Sequence, residues 1–279
     1  MNETTASSDL HGRTLLMSGG SRGIGLAIAV AAARQGANIV LLAKTADPHP
    51  KLPGTIHTAA AEIEAAGGAA APVVGDVRSE DDVRRAVGVA VERFGRIDAV
   101  VNNASAIDLS PSTQLLSKKL DLMLDINVRG TYLLTTAALP YLTKAPQPHI
   151  LTLSPPLNLK PHWLARHPAY TTSKYAMTLL TLGWAAEFAA IPIAANCLWP
   201  QTLIATAAVD NVVGGDRART PDIMADAAVA LLARPATATG RTLRDSEVLA
   251  ELGIKDLSRY GTDPELDLYV DPDDPRDGR

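Results

Sequence analysis

The sequence predicts a doubly wound α/β fold, a parallel sheet with helices on both faces. Two observations carry this prediction: short apolar runs alternate regularly with longer helical patterns, and a glycine-rich turn lies between the first run and the first helix. Runs this short do not stand alone as helices, and their β-branched residues favour strands. Regular alternation of the two then implies parallel strands joined by crossover helices.

The elements follow in order. TLLMS (14–18) reads as the first strand, with a helix from Gly23; NIVLLA (38–43) reads as the second, with a helix near Thr58 to Ala66. APVVGD (71–76) precedes a helix from Glu80 to Phe94, and IDAVVNNA (97–104) precedes one from Lys118 to Leu142. HILTLS (149–154) leads to the helical run TTSKYAMTLLTLGWAAEFA, and IAANCLW (193–199) to a helix near Pro221 to Leu232. A last strand is expected near RTLRD (241–245).

With 279 residues, 47% of them hydrophobic and 20% charged, the chain can bury a large core. One domain over residues 11–261 is expected, with a flexible arm at 1–10 and a Pro- and Asp-rich acidic tail at 262–279. A net charge of -4 leaves no basic excess for nucleic acid, which is excluded as a main partner. The single cysteine, Cys197, rules out an intramolecular disulfide and fits a reducing, cytoplasmic location. MNETTASSDLHGR has no secretory pattern, and LMLDINVRGTYLLTTAALPYL is interrupted by Asp125, Asn127 and Arg129, so no membrane insertion is expected.

Gly19, Gly23 and Gly25 in SGGSRGIG lie between strand and helix. A helix N-terminus there presents unpaired N–H groups and a positive dipole end to a pyrophosphate, and side chains on Gly23 or Gly25 would obstruct its approach. A plain turn with a helix cap is the competing reading.

The wide spacing of SGGSRGIG resembles the glycine loop of short-chain dehydrogenases/reductases. Further matches follow in the same order: GDV (75–77), NNAS (102–105), INVRG (126–130) and YTTSK (170–174). The resemblance covers residues 12 to 240 and implies a Rossmann-type fold, a nicotinamide dinucleotide cofactor and hydride transfer between a carbonyl and an alcohol. AKTADPHPKLPGTIHTAAAEIEAAGG, LSPPLNLKPHW and LWPQTLIATAA resemble a subgroup that often carries an appended sterol-carrier domain, suggesting lipid-related chemistry. No such domain is expected within these 279 residues.

The resemblance makes Gly19, Ser21, Arg22, Gly23, Ile24 and Gly25 cofactor contacts. It also puts Asp76 and Val77 beside the adenine, and Asn103, Ala104 and Ser105 along the cofactor channel. An acidic residue at the end of the second strand would hold a ribose 2′-hydroxyl, and none stands there. Lys44 takes that edge, and with Arg22 it favours NADP(H) over NAD(H).

Tyr170 and Lys174, four residues apart on a helix, share one face. A lysine near the phenol would favour its ionised form, so Tyr170 is the expected proton donor to a carbonyl oxygen. By resemblance, Lys174 also holds the nicotinamide ribose and Asn127 anchors a water-mediated proton relay. The carbonyl-orienting serine of the family falls at LTLSPPLN, where an ungapped alignment puts Pro155 at its position and Ser154 one residue earlier. Proline offers no donor, so Ser154 is the candidate.

His162, Trp163, Leu164, Trp199, Pro200, Gln201 and Thr202 fall in loops expected to wall the substrate pocket. Pro200 and Thr202 are candidate cofactor contacts, although Gln201 replaces the glycine usual after that proline. LIATAAVDNVVGGDRART, with Gly214–Gly215, has the makings of a lid. The resemblance further implies a homo-oligomer, with a tetramer expected. A dinucleotide-binding regulatory or scaffold protein with a decayed site is the alternative to an enzyme.

Overall fold

The computed structural model describes residues 10–48, 53–207 and 218–261. Seven strands form one parallel sheet: β1 (Thr14–Ser18), β2 (Asn38–Ala43), β3 (Ala69–Val74), β4 (Ala99–Asn102), β5 (His149–Leu153), β6 (Ala194–Trp199) and β7 (Thr242–Arg244). Their order is β3-β2-β1-β4-β5-β6-β7. The order reverses between β1 and β4, and in such sheets ligands bind in the crevice beyond the strand ends at that switch point.

Helices cover both faces: α1 (Gly23–Arg34), α2 (Ile56–Ala65), α3 (Glu80–Phe94), α4 (Ser117–Met123), α5 (Gly130–Leu142), α6 (Pro161–Arg166), α7 (Pro168–Glu187), α8 (Asp222–Leu232) and α9 (Asp245–Glu251). Alternate residues of one strand feed opposite cores, as a period of two requires. Leu15 and Met17 of β1 pack with α1, α2 and α8, whereas Leu16 packs with α3, α5 and α7.

Local chemistry sets several boundaries. Ser79 caps α3 by accepting from the Asp82 N–H, three acids occupy its first turn, and Gly95 ends it at φ 75°. Pro72 is tolerated in β3 because that strand is at the sheet edge. The helix expected over 118–142 is instead α4, a π-helical turn at Leu124–Arg129, and α5. Leu10, assigned to the arm by sequence, is fully buried in the core. The rest of that arm, the acidic tail and the Gly214–Gly215 segment lie outside the described residues. No described helix is long and apolar enough to cross a membrane.

Candidate active site

The end of β1 positions the end of β4. Ser18 Oγ accepts from the N–H groups of Asn103 at 3.2 Å and Ala104 at 3.1 Å, while Asn103 Nδ2 donates to the Ser18 carbonyl at 3.1 Å. Two glycines are needed to admit that asparagine. A Cβ on Gly19 would lie 2.5 Å, and one on Gly25 2.4 Å, from Asn103 Nδ2. Internal packing by itself therefore already demands glycine at position 25. Gly23 has φ 58°, a conformation that favours glycine, and its missing Cβ faces Thr206 at 3.3 Å.

Arg22 precedes α1 without a side-chain cap, and the first turn, with Ile24 in it, holds no acid. The helix's positive end is thus left for an anion. Ser21 is buried just before it. This helix start, with neither a side-chain cap nor an acid, fits the pyrophosphate of a dinucleotide.

At the outer edge, Asp76 Oδ2 meets Lys44 Nζ at 3.5 Å and Arg78 Nη2 at 2.7 Å. The hydrogen bond from Arg78 is the main cause holding the Asp76 carboxyl down at about 2. Arg22 and Lys44, expected to share one phosphate, have separate partners here. Arg22 Nη2 donates to the Gly54 carbonyl at 3.3 Å, whereas its Nη1 is buried without a hydrogen-bond partner among the described residues. Val77 is buried, and a Cβ on Gly130 would come within 2.7 Å of it, which explains the glycine of INVRG.

Tyr170 and Lys174 lie one turn apart on α7. Burial pushes the Tyr170 phenol up to about 12, opposed in part by the nearby Ser105 side chain. The phenol is therefore protonated at neutral pH. Lys174 is 3% exposed, and burial draws its ammonium down to about 7. Its Nζ donates to the Leu153 carbonyl at 2.5 Å and stands 5.2 Å from the centre of the Trp199 ring. The spacing placed the two residues on one face, but the ammonium's hydrogen bond goes to Leu153, not to the phenol.

Asn127 is fully buried on the π-helical turn. Its Oδ1 accepts from the Ala106 N–H at 2.7 Å, and its Nδ2 donates to the Ala106 carbonyl at 3.0 Å and to Ser173 Oγ at 2.9 Å. Ser173 Oγ in turn donates to the Tyr170 carbonyl at 2.8 Å. The Asn127 side chain thus ties the loop after β4 to the first turn of α7, and all three of its bonds serve that tie.

Ser154 is fully buried at the end of β5, with its Oγ 2.9 Å from Thr178 Oγ1. That partner holds it in the packing between the end of β5 and α7. Thr202, expected at the cofactor, is also fully buried, with its Oγ1 3.4 Å from the Leu203 carbonyl. Neighbouring Pro200 is buried too, and the Gln201 N–H donates to Asp245 Oδ1 at 2.9 Å.

A family model described as short chain dehydrogenase matches residues 13–214. The chain belongs to the short-chain dehydrogenase family. It is 54% identical over 265 residues to hydroxysteroid dehydrogenase-like protein 2 of Danio rerio, a match covering 94% of this chain but only 64% of that protein. The chain therefore spans less than two thirds of that relative's length. A short chain dehydrogenase of Mycobacterium thermoresistibile superimposes with a TM-score of 0.89 and 52% identity, covering 94% of this chain and 96% of the other. A metagenomic short-chain oxidoreductase in complex with NADP gives a TM-score of 0.70 at 27% identity, covering 85% of this chain and 98% of the other.

In this short-chain dehydrogenase, several site residues carried no distinct sequence signal. Ser18 and Ser173 work through contacts with distant chain segments. Gly20, with φ 98°, would drive a Cβ to 2.9 Å from Leu41 Cδ2. Trp199 was placed in the substrate wall, yet its ring lies beneath the Lys174 ammonium. On α6, the His162 and Trp163 rings lie 5.3 Å apart between centres and are tilted by 43°, with the Arg166 guanidinium 5.5 Å from the Trp163 ring. Leu164 of the same helix is partly buried. The Tyr175 hydroxyl receives the Asn158 N–H at 3.1 Å and donates to the Asn158 carbonyl at 2.9 Å, clamping the loop that leads to α6.

Proposed function

We propose that this protein interconverts a carbonyl and an alcohol with NADP(H), on an apolar substrate. The observation that carries this reading is Tyr170 one helical turn from buried Lys174 on α7. In the reducing direction, Tyr170 donates its proton to the carbonyl oxygen. When bound, the dinucleotide supplies the hydride. Lys174, whose ammonium burial draws down to about 7, lies one turn away on α7, and Asn127 fixes Tyr170 relative to the loop after β4.

Arg22 supports the choice of NADP(H), because its buried Nη1 lacks a partner that a 2′-phosphate would provide; exposed Lys44 adds a second cation. The NADP-bound relative is consistent with that choice. Leu157 and Leu159, 37% and 73% exposed, put apolar surface on the loop after β5, which suits a hydrophobic substrate of the kind the relatives' name suggests. Exposed Leu116, Tyr132 and Leu179, at the start of α4 and on α5 and α7, favour a homo-oligomer.

Fluorescence titration with NADPH and NADH tests this reading, followed by a carbonyl screen. Arg22→Ala is expected to weaken NADPH binding by roughly tenfold or more, with NADH affected much less. Equal affinities in the wild type would overturn the assignment. The alternative, a dinucleotide-binding regulatory or scaffold protein, is favoured by one observation, the burial of Ser154 beside a proline without a donor. It requires NADPH binding without turnover of any carbonyl offered.

A further inference from the structure

Strand alternation decides where Trp199 points. Leu198 of β6 packs in the core with α1 and α8, so Cys197 and Trp199 on either side of it face the other way, toward α7. There the Lys174 ammonium stands over the Trp199 ring, 5.2 Å from its centre, while its Nζ donates to the Leu153 carbonyl at 2.5 Å.

An ammonium only 3% exposed has given up nearly all of its water, which favours the neutral amine unless other groups hold the charge. Among the described residues, Lys174 makes no ion pair with a carboxylate. Cys197, two residues before Trp199, and Tyr170, one turn before Lys174, supply no charge at neutral pH. Burial pushes the thiol up, and the phenol up to about 12. What remains for the cation is the Leu153 carbonyl from β5 and the Trp199 ring from β6.

We propose that Trp199 is the positioning residue for Lys174: its ring holds the ammonium at the Leu153 carbonyl and keeps it cationic inside the site. The proposal rests on the carbonyl–alcohol reading above and adds to it the residue that governs the lysine's charge. The face of an indole carries a negative quadrupole, which attracts the ammonium and leaves the neutral amine almost unaffected. Indole is the strongest such partner among the aromatic side chains, and the attraction grows where water is excluded. Burial draws Lys174 down to about 7, so near neutral pH a modest attraction changes its charge most. The last residue of β6 thereby sets the pH above which the site loses its cation.

The test follows Lys174 by carbon-13 NMR of the full chain labelled at lysine Cε, with Lys174→Met identifying its signal. Fluorinated tryptophan at position 199 weakens the ring's negative face and keeps its shape. The titration midpoint of Lys174 is expected to fall by about half to one pH unit, further with four fluorines than with one. Trp199→Leu should lower it by about one pH unit, and Trp199→Phe, which keeps a ring, by less. A merely structural role has the opposite sign, because loosened packing admits water and moves the midpoint up toward the ordinary 10.5. A midpoint that rises, or that is the same with and without fluorine, overturns the proposal. With any carbonyl the screen finds, the pH at which kcat declines should move down with the midpoint; a profile unmoved by fluorination overturns it too. Failure to bind NADPH or to reduce any carbonyl would instead overturn the oxidoreductase reading, and it would leave the carbon titration readable.

Discussion

Tyr170 and Lys174 are both displaced by burial, the phenol to about 12 and the ammonium to about 7. A phenol this resistant to ionisation carries its proton at neutral pH. Tyr170→Phe removes the proton and little volume, so carbonyl reduction should fall by roughly 10²- to 10⁴-fold. NADPH affinity, measured by the same fluorescence titration, should stay within a factor of a few; retained turnover would remove Tyr170 from the mechanism. The pair was legible because i, i+4 spacing fixes a shared helix face. The direction of the Lys174 amine was not, since Leu153 and Trp199 reach it from β5 and β6. The surroundings of Ser154 were hidden for the same reason: Thr178, its hydrogen-bond partner, is 24 residues away in sequence.

Strands and most helices were readable because apolar spacing sets which face is buried, and the predicted bounds of α3 match the observed helix. The π-helical turn was not readable, because Asn127 interrupts the apolar pattern of a helix in the same way whether its partners are protein or water. The short helices α6 and α9 contain too few residues to display a period. Glycines were visible as a group, but their separate reasons appear only from what surrounds each one. Two glycine-to-alanine changes should therefore have opposite signs. Gly25→Ala forces a methyl against Asn103 Nδ2 and Gly20 Cα, which lie 2.4 and 2.8 Å from it, and should cost about 1–3 kcal/mol in urea unfolding. Gly88→Ala on α3 meets nothing within 4 Å and should gain up to about 1 kcal/mol through helix propensity. Equal effects would show that packing around the loop relaxes more readily than these distances allow.

Across the whole molecule, stability in acid depends on buried groups far from the catalytic pair. His149 opens β5, is 2% exposed, and its Nε2 lies 2.9 Å from the Arg234 carbonyl. Burial, reinforced by the nearby Arg13 cation, draws its imidazole from 6.5 down to about 4. Between those values the unfolded chain binds a proton that the folded chain refuses. The contribution of neutral His149 is therefore complete above pH 6.5 and is lost as pH falls toward 4. Asp245 works against it: burial raises this carboxyl from 3.8 to about 6, so the folded chain takes up its proton first and gains stability as pH falls through 6. With the two opposed, the wild-type acid response alone would conceal both. His149→Gln keeps a hydrogen-bond donor and removes the titration. Whatever packing penalty the variant carries at pH 7, the wild type's advantage over it should shrink by about 3 kcal/mol between pH 6.5 and 4, because about 2.5 pKa units at 1.36 kcal/mol each disappear. Urea unfolding of both proteins at pH 7, 5.5 and 4 measures that difference directly. A gap that stays constant over this range would mean that His149 ionises in the folded protein as it does in water, with the start of β5 open to solvent.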